Sequence, residues 1–479
     1  MDWDIVIGLE THVQLLTKSK IFSRGGTRFG QTANTEIDFV DLGLPGVLPV
    51  VNKKALESAI LFGVSVKGKI SEETVFSRKN YFYPDLPKGY QISQLDKPIV
   101  LGGSLEVILD SKKSFTVPLT RAHLEEDAGK SSHEGFGNFK SGIDFNRAGI
   151  ALLEIVSEPS MSSADEAVAY AKCLHNLVTW IGICDGNMQE GSFRCDANVS
   201  VRPKGEAQLG TRAELKNINS FRFVERAIYF EIDRQIGVIE DGGSVVQETR
   251  LYDPDKDLTR SMRGKEEAHD YRYFPDPDLP PLVITKKELD AIRSEMPELP
   301  DAKLTRLASS YELSNDDAAL LAADSDLADF FEAAVKAANG ESRLIANWIL
   351  GDLSSALNRE SLSISESPVS PEMLGQLINR IKDNTISGKI AKQVFGDLWH
   401  GKGQVDDIIR DQGLTQITDT DAISKAVDDV ITAFPSQVDQ VRAGEEKVIG
   451  FLVGQVMKAT SGKANPQAVN NLIKTKLSS

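Results

Sequence analysis

Apolar residues recur at every second position in several short stretches of the first half of the chain, and at helical spacing in the second half. From Asp4 to Leu15, Ile5, Ile7, Leu9, Val13 and Leu15 alternate with Val6, Gly8, Glu10, His12 and Gln14. Period two predicts a strand with one greasy face and puts Glu10 and His12 together on the other. Thr120–Asp127 repeats the pattern, with Arg121, His123, Glu125 and Asp127 in front of Ala122 and Leu124. Gly191–Arg202 sets Phe193, Cys195, Ala197, Val199 and Val201 against Ser192, Arg194, Asp196, Asn198, Ser200 and Arg202. In Thr211–Lys216, Arg212, Glu214 and Lys216 stand in front of Ala213 and Leu215. Ile150–Val156 is an apolar run broken by a single charge, Glu154. A carboxylate there is costly to bury alone, so it is paired or it faces a ligand.

Between these strands the signals change. Asn52 is placed to cap a helix to Gly63 with Ala55, Ala59, Ile60 and Phe62 on its apolar side. Ser163-Ala164-Asp165-Glu166 reads as a capping box. The helix it opens carries Val168, Ala171, Leu174, Val178 and Ile181 and stops at Gly182, with His175 packed on that side. Asn217-Ile218-Asn219-Ser220 caps an amphipathic helix to about Ile236. Residues 34–50 and 270–281 read as loops, and Gly102-Gly103-Ser104 as the tip of a hairpin. Ser77–Gln94 crowds three tyrosines, two lysines, an arginine and two prolines together. Its prolines exclude a helix or a central strand, and its cations and hydroxyls suit an anionic ligand.

Beyond about Lys286 the pattern is helical throughout. Ser314 or Asn315 caps Leu313–Ala323, residues 360–369 connect, and Ser370-Pro371-Glu372 opens a helix carrying Leu374, Leu377, Ile378 and Ile381. The predicted fold class is α+β, with domains at 1–292, 293–406 and 407–479 and a mainly antiparallel sheet in the first. The 41% hydrophobic content of the 479 residues is enough for real cores.

A net charge of −16 excludes a general basic field for nucleic acid, so contact with RNA requires a local patch. One such patch exists. From Lys447 to Ser479 there is no Asp or Glu, while Lys447, Lys458, Lys463, Lys474 and Lys476 are present. No apolar run reaches the ~18 residues of a membrane span, and Met1-Asp2-Trp3-Asp4 is acidic where a secretory signal is basic. Cys173, Cys184 and Cys195 are odd in number and lack C-x-x-C spacing, which points to a reducing cytoplasm and against zinc.

Several strands with a charged front and an apolar back predict a sheet with a core side and an active-site side. Carboxylates gathered in one cleft repel one another unless a divalent cation joins them. With histidine rather than thiolate beside them, magnesium or manganese is favoured. Metal, cations and carboxylates together are the equipment of phosphoryl transfer. Gly63–Ile70 misses a Walker A loop by its last residue and follows a helix, so a P-loop is excluded.

Five stretches carry a resemblance: Gly8–Leu15, Arg78–Asp85, Glu125–Lys130, Glu190–Asn198 and Asp270–Pro275. They resemble the GatB family of the tRNA-dependent aspartyl/glutamyl amidotransferases, and the likeness extends to Gly450–Lys458. The resemblance implies a cradle domain with a glutamine synthetase-like sheet, then a helical domain and a small tail that contact tRNA. It implies that ATP phosphorylates the side-chain carboxylate of Glu-tRNA(Gln) or Asp-tRNA(Asn), and that ammonia displaces the phosphate. The ammonia would come from the amidase partner GatA, with the small partner GatC clamping the pair in a heterotrimer. Glu10, His12, Glu125 and Glu214 would be metal ligands. Arg78, Glu154, Glu190, Arg194 and Asp196 would contact the nucleotide, with Glu154, Glu190 and Asp196 as second-choice ligands. Lys79, Tyr81 and Lys88 would join Glu125 in catalysis or line the ammonia path. A ligase on free glutamate and a non-enzymatic tRNA-binding protein are the competing readings; the acid-free tail opposes the first and the shared carboxylate faces the second.

Overall fold

The computed structural model describes residues 2–109, 113–132, 140–264, 271–416, 420–442, 445–460 and 463–477. Asp270 lies outside the described residues. The chain divides into two compact units, Met1–Leu299 and Pro300–Ser479.

The first unit begins with β1 (Trp3–Gln14), α1 (Lys53–Ser65), β2 (Lys69–Ile70), β3 (Glu73–Thr74), β4 (Ser77–Asn80) and β5 (Tyr90–Ser93). It continues through β6 (Val100–Leu101), β7 (Ser104–Ile108), β8 (Ser114–Glu126), β9 (Lys130–Ser132), β10 (Gly142–Asp144) and β11 (Ala151–Ser157). Then come α2 (Ala164–Trp180), β12 (Phe193–Pro203), β13 (Ala213–Lys216) and α3 (Phe221–Glu240). It closes with β14 (Glu248–Asp253), β15 (Leu258–Gly264), β16 (Phe274–Pro275), β17 (Leu282–Val283) and α4 (Lys286–Ser294).

Ten strands form one sheet in the order β15-β14-β13-β12-β1-β11-β8-β6-β2, with β7 also on β8. Every pair is antiparallel except β13–β14, which α3 connects. The alternation read from the sequence holds. Ile7, Leu9, Val13, Leu124, Leu153, Ile155, Ala197, Val199 and Leu215 are fully buried, and α2 and α3 pack on β1, β7, β12 and β15. Each fully buried large apolar side chain contributes about 1.5–3 kcal/mol. The opposite face carries the charged residues, brought into rows by the register.

The predicted caps form with adjustments. Asn52 accepts from the Lys54 amide, and Ser220 from that of Phe223. Ser163 accepts from the Glu166 amide, but the Glu166 carboxylate takes the amide and hydroxyl of Ser162, so the box closes one residue early. Gly63–Ile70 is the end of α1 running into β2, where a Cβ on Gly63 would fall 2.4 Å from Ile70 Cδ1. The expected hairpin at Gly102-Gly103-Ser104 does not form. Val100 pairs with Ala122 and Ser104 with Pro118 in one continuous register, so β6 and β7 are two pieces of one strand. Gly102 and Gly103, at φ +65° and +104°, make the kink between them.

Three short strands form a second sheet, β16-β4-β5. It joins the 271–278 segment to the Ser77–Gln94 region, almost 200 residues away in sequence. β9 pairs with β10, and β3 with β17.

In the second unit the regular elements among the described residues are helices. Ser314 caps Asn315–Leu321 and Ser370 caps Pro371–Lys382. The expected 406/407 boundary falls inside helix Val405–Asp411, which Arg380 ties to Pro371–Lys382 through Asp406 at 2.7 Å. A separate apolar core starts later and gathers Ile423, Val427, Leu452, Val456, Val469 and Ile473.

Candidate active site

β1, β11 and β8 lie side by side, and their register sets His12 opposite Glu154 and Glu154 opposite His123. Directly paired residues of antiparallel strands share a face, so the three side chains form a row. Glu125 stands two residues along β8 from His123, opposite Leu152 and on the same face. His12 Nε2 is 3.3 Å from Glu154 Oε2 and 3.7 Å from Glu125 Oε1. His123 Nε2 lies 3.6 Å from the same Glu154 oxygen. Donor atoms of His12, Glu125 and Glu154 all fall within 4.8 Å of one another, a set that fits a divalent cation.

The electrostatics of the row are those of crowded charge. Burial raises Glu125, and the neighbouring Glu154 charge raises it further. Burial works against Glu154 too, but the His12 hydrogen bond and the charges of His12 and Lys79 hold it low. Burial opposes the charge on His12, yet Glu154 and Glu125 raise it overall. Burial pushes His123 down to about 4, which leaves it neutral. Burial raises Glu10, as do the charges of Glu154 and Glu214.

Of the four residues expected as ligands, His12 and Glu125 lie in this set, Glu154, expected as a second choice, is its third member, and Glu10 and Glu214 lie outside it. Glu10 lies two residues along β1, opposite Val156, about 6.6 Å of strand rise from the row, and accepts from Asn198 Nδ2 at 3.1 Å. Glu214 stands on β13, two strands beyond β1, where Thr249 donates to it at 2.8 Å and Lys216 pairs with it at 3.0 Å. Asp196 is held by the same Lys216 ammonium at 2.7 Å.

Beside the row is a cavity of about 750 Å³. Gln14, Glu190, Arg194, Asp196 and Asn217 are among its walls, so three of the expected nucleotide contacts border one space. Buried Asp127 organises this side: it accepts from Gln14 Nε2 at 2.7 Å and Arg194 at 3.0 Å, with Arg147 at 3.7 Å. Burial alone would raise Asp127, but the two guanidinium charges and these hydrogen bonds bring it below its ordinary value.

The β16-β4-β5 sheet supplies the remaining groups. Lys79 Nζ is 5.9 Å from the Tyr81 ring and 5.0 Å from that of Tyr271. Burial opposes its charge, but the charges of Glu125, Tyr273 and Glu154 raise it overall. Burial and then the Glu125 charge keep the Tyr81 phenol protonated. Lys88 is used differently: it bonds Glu126 Oε2 at 2.5 Å, and alternation puts Glu126 on the apolar face of β8, away from Glu125. Arg78 has its guanidinium on Asp276 and Asp278. Cys184 and Cys195 are buried thiols pushed up to about 12 by burial. Sequence reasoning misses His123, Asp127, Tyr271 and Tyr273 as site residues; His123 and Asp127 sit on the predicted polar face, and only cross-strand register singles them out.

Two family models match the chain: the GatB/GatE catalytic domain over residues 5–290 and the GatB domain over residues 329–477. Curated proteins named as the B component of aspartyl/glutamyl-tRNA(Asn/Gln) amidotransferase are similar over 100% of both chains. They include those of Thioalkalivibrio sulfidiphilus, 60% identical over 477 residues, and Nitrosococcus oceani, 59% over 478. The Bordetella pertussis protein is 60% identical over 484. No helix among the described residues is long and apolar enough to cross a membrane.

Proposed function

The chain belongs to the GatB/GatE family, and from that premise we propose that it is the transamidating member of an ATP-dependent amidotransferase acting on Glu-tRNA(Gln), Asp-tRNA(Asn) or both. The observation that carries the reading is the His12–Glu154–Glu125 cluster on an otherwise helix-backed sheet. Two carboxylates within 4.8 Å, both largely withdrawn from solvent, fit magnesium, with manganese as a substitute and no part for zinc. His12, Glu125 and Glu154 would hold such an ion, which would supply the positive charge that transfer of the γ-phosphoryl group of ATP to the side-chain carboxylate calls for.

The chain's own residues supply the rest. Lys79 presents a cation beside the row and stabilises the negative charge of the acyl phosphate. Arg194, fixed by Asp127, does the same at the cavity wall. Glu190 and Asp196 border that cavity and orient the nucleotide. Tyr81, kept protonated, donates without carrying charge near the incoming ammonia. Ammonia attacks the acyl carbon and phosphate leaves, which forms the amide. The amidase GatA supplies the ammonia, and the small partner GatC completes a cytoplasmic heterotrimer. The helical unit, with the lysine-bearing tail, holds the tRNA. Kinship of the sheet to that of glutamine synthetase belongs to the same proposal.

The test is Glu125→Ala in the assembled heterotrimer. ATP- and magnesium-dependent Gln-tRNA formation should vanish while glutamine hydrolysis by the partner persists. Full amide formation in that variant would remove the assignment.

A further inference from the structure

Arg78 is more deeply engaged than a ligand-contacting arginine needs to be. Its Nε donates to Asp276 Oδ2 at 2.9 Å, and its second amino group reaches Asp276 Oδ1 at 3.3 Å and Asp278 Oδ2 at 2.9 Å. The guanidinium also lies 4.3 Å from the Tyr90 ring centre. Asp276 is fully buried. Two residues on, Asn80 Nδ2 donates to the carbonyls of Tyr271, at 3.1 Å, and Arg272, at 2.8 Å. The Asn80 amide binds the Tyr271 carbonyl as well, at 2.9 Å. One side of β4 is therefore committed to holding the 271–278 segment.

Alternation turns Lys79, between these two residues, to the other side. There the Tyr271 ring lies 5.0 Å from its ammonium, and the Tyr273 ring 6.1 Å from that of Tyr271. Arg272, between the tyrosines, sits at φ +44°. A non-glycine residue is held in that strained region only where its surroundings over-determine it.

We propose that Arg78 is a positioning residue: through Asp276 and Asp278 it holds the strained Tyr271–Tyr273 turn against Lys79, and so fixes where the Lys79 ammonium stands beside the Tyr271 ring. It does not touch the nucleotide. The role of Lys79 in amide formation rests on the function proposed above, whereas the latch itself does not.

The full chain, alone and in its heterotrimer, tests both parts with Arg78→Ala, Arg78→Lys, Asp276→Asn and the exchange Arg78→Asp with Asp276→Arg. Pulse acylation of lysines followed by peptide mass analysis reads the exposure of Lys79 without reference to activity. Labelling of Lys79 should rise at least about fivefold in Arg78→Ala and return toward the wild-type level in the exchanged pair. In amide formation with ammonium chloride as donor, kcat should fall about 10- to 100-fold, the loss expected for a group displaced by about 1 Å. KM for ATP should stay within about twofold. Unchanged Lys79 labelling in a folded variant overturns the latch, and a tenfold rise in KM for ATP makes Arg78 a nucleotide contact instead. If Arg78→Ala does not fold, Arg78→Lys and Asp276→Asn carry the same measurements. Altered labelling in an assay where the wild-type complex makes no amide would leave the latch standing and sink the function.

Discussion

Replacing Glu125 by glutamine removes one of two carboxylates that face each other in the row while keeping its shape and its acceptor for Ser93. Within 4.8 Å of one another and at an effective dielectric of about 20, two unit charges repel by at least roughly 3–4 kcal/mol. The cations of His12 and Lys79 offset part of this, so the variant should gain about 1–2 kcal/mol when no metal is present. That corresponds to about 2–4 °C for a unit of this size. The sign follows from linkage. The folded-state carboxyl of Glu125 is raised, so the folded protein holds a proton that the unfolded chain, near pKa ~4.3, has released. The destabilisation is absent below that unfolded value and grows as pH rises through the raised range. Thermal unfolding in EDTA should therefore show the variant level with wild type near pH 4 and ahead of it at pH 8. Magnesium should remove most of that lead. It stabilises wild type by about 2.7 kcal/mol at one hundred times its dissociation constant, and loss of a charged ligand should weaken it at least about tenfold in the variant. A variant less stable than wild type in EDTA at pH 8, with an unchanged magnesium response, would refute the reasoning.

Two further outcomes follow from charges elsewhere. Lys20 and Asp41 form a fully buried pair at 3.0 Å, so Lys20→Met should cost about 3–5 kcal/mol in urea unfolding by stranding Asp41, and Lys20→Met with Asp41→Asn should recover most of it. Lys447 and Lys458 stand on the solvent side of the tail helices, and changing both to glutamine should lower the salt slope of tRNA binding by about 1–2 while leaving magnesium–nucleotide affinity intact. Lys476→Gln should barely move that slope, because its ammonium rests on Asp428 at 2.6 Å and on Ser424; an equal loss there would show that the patch is not what the RNA meets.

The strands and their faces were legible because burial on one side forces period two, and a one-residue slip would turn every charge inward. The same logic identified Glu154 as a charge in need of a partner, though not which partner. Its role depends on standing opposite both His12 and His123, and no local pattern encodes which strands become neighbours. Gly102-Gly103 misled for a related reason: two glycines make a turn or a kink equally well, and pairing with β8 selects the kink. Pairing of β4 with β16 spans almost 200 residues, so neither the Arg78 latch nor the two tyrosines it carries had a local signature. Glu214 shares a polar face with the row but not a register position, and Lys216 two residues away pairs with it; periodicity alone does not separate it from the residues of the row.

Charge balance across that face bears on where a cation would sit. Asp127 has Arg194 and Arg147, and Asp196 and Glu214 share Lys216. What these pairs leave over is Glu10, Glu125 and Glu154; His12 and Lys79 offset the last two, and Lys216 and His12 the first. A fold selected for stability alone would have closed this gap with one more lysine, because unbalanced buried carboxylates are among the costliest groups a core can hold. On the function proposed above, keeping the deficit on these adjacent strands, beside a cavity of about 750 Å³, would trade stability of the empty protein for affinity toward a divalent ion and its phosphates.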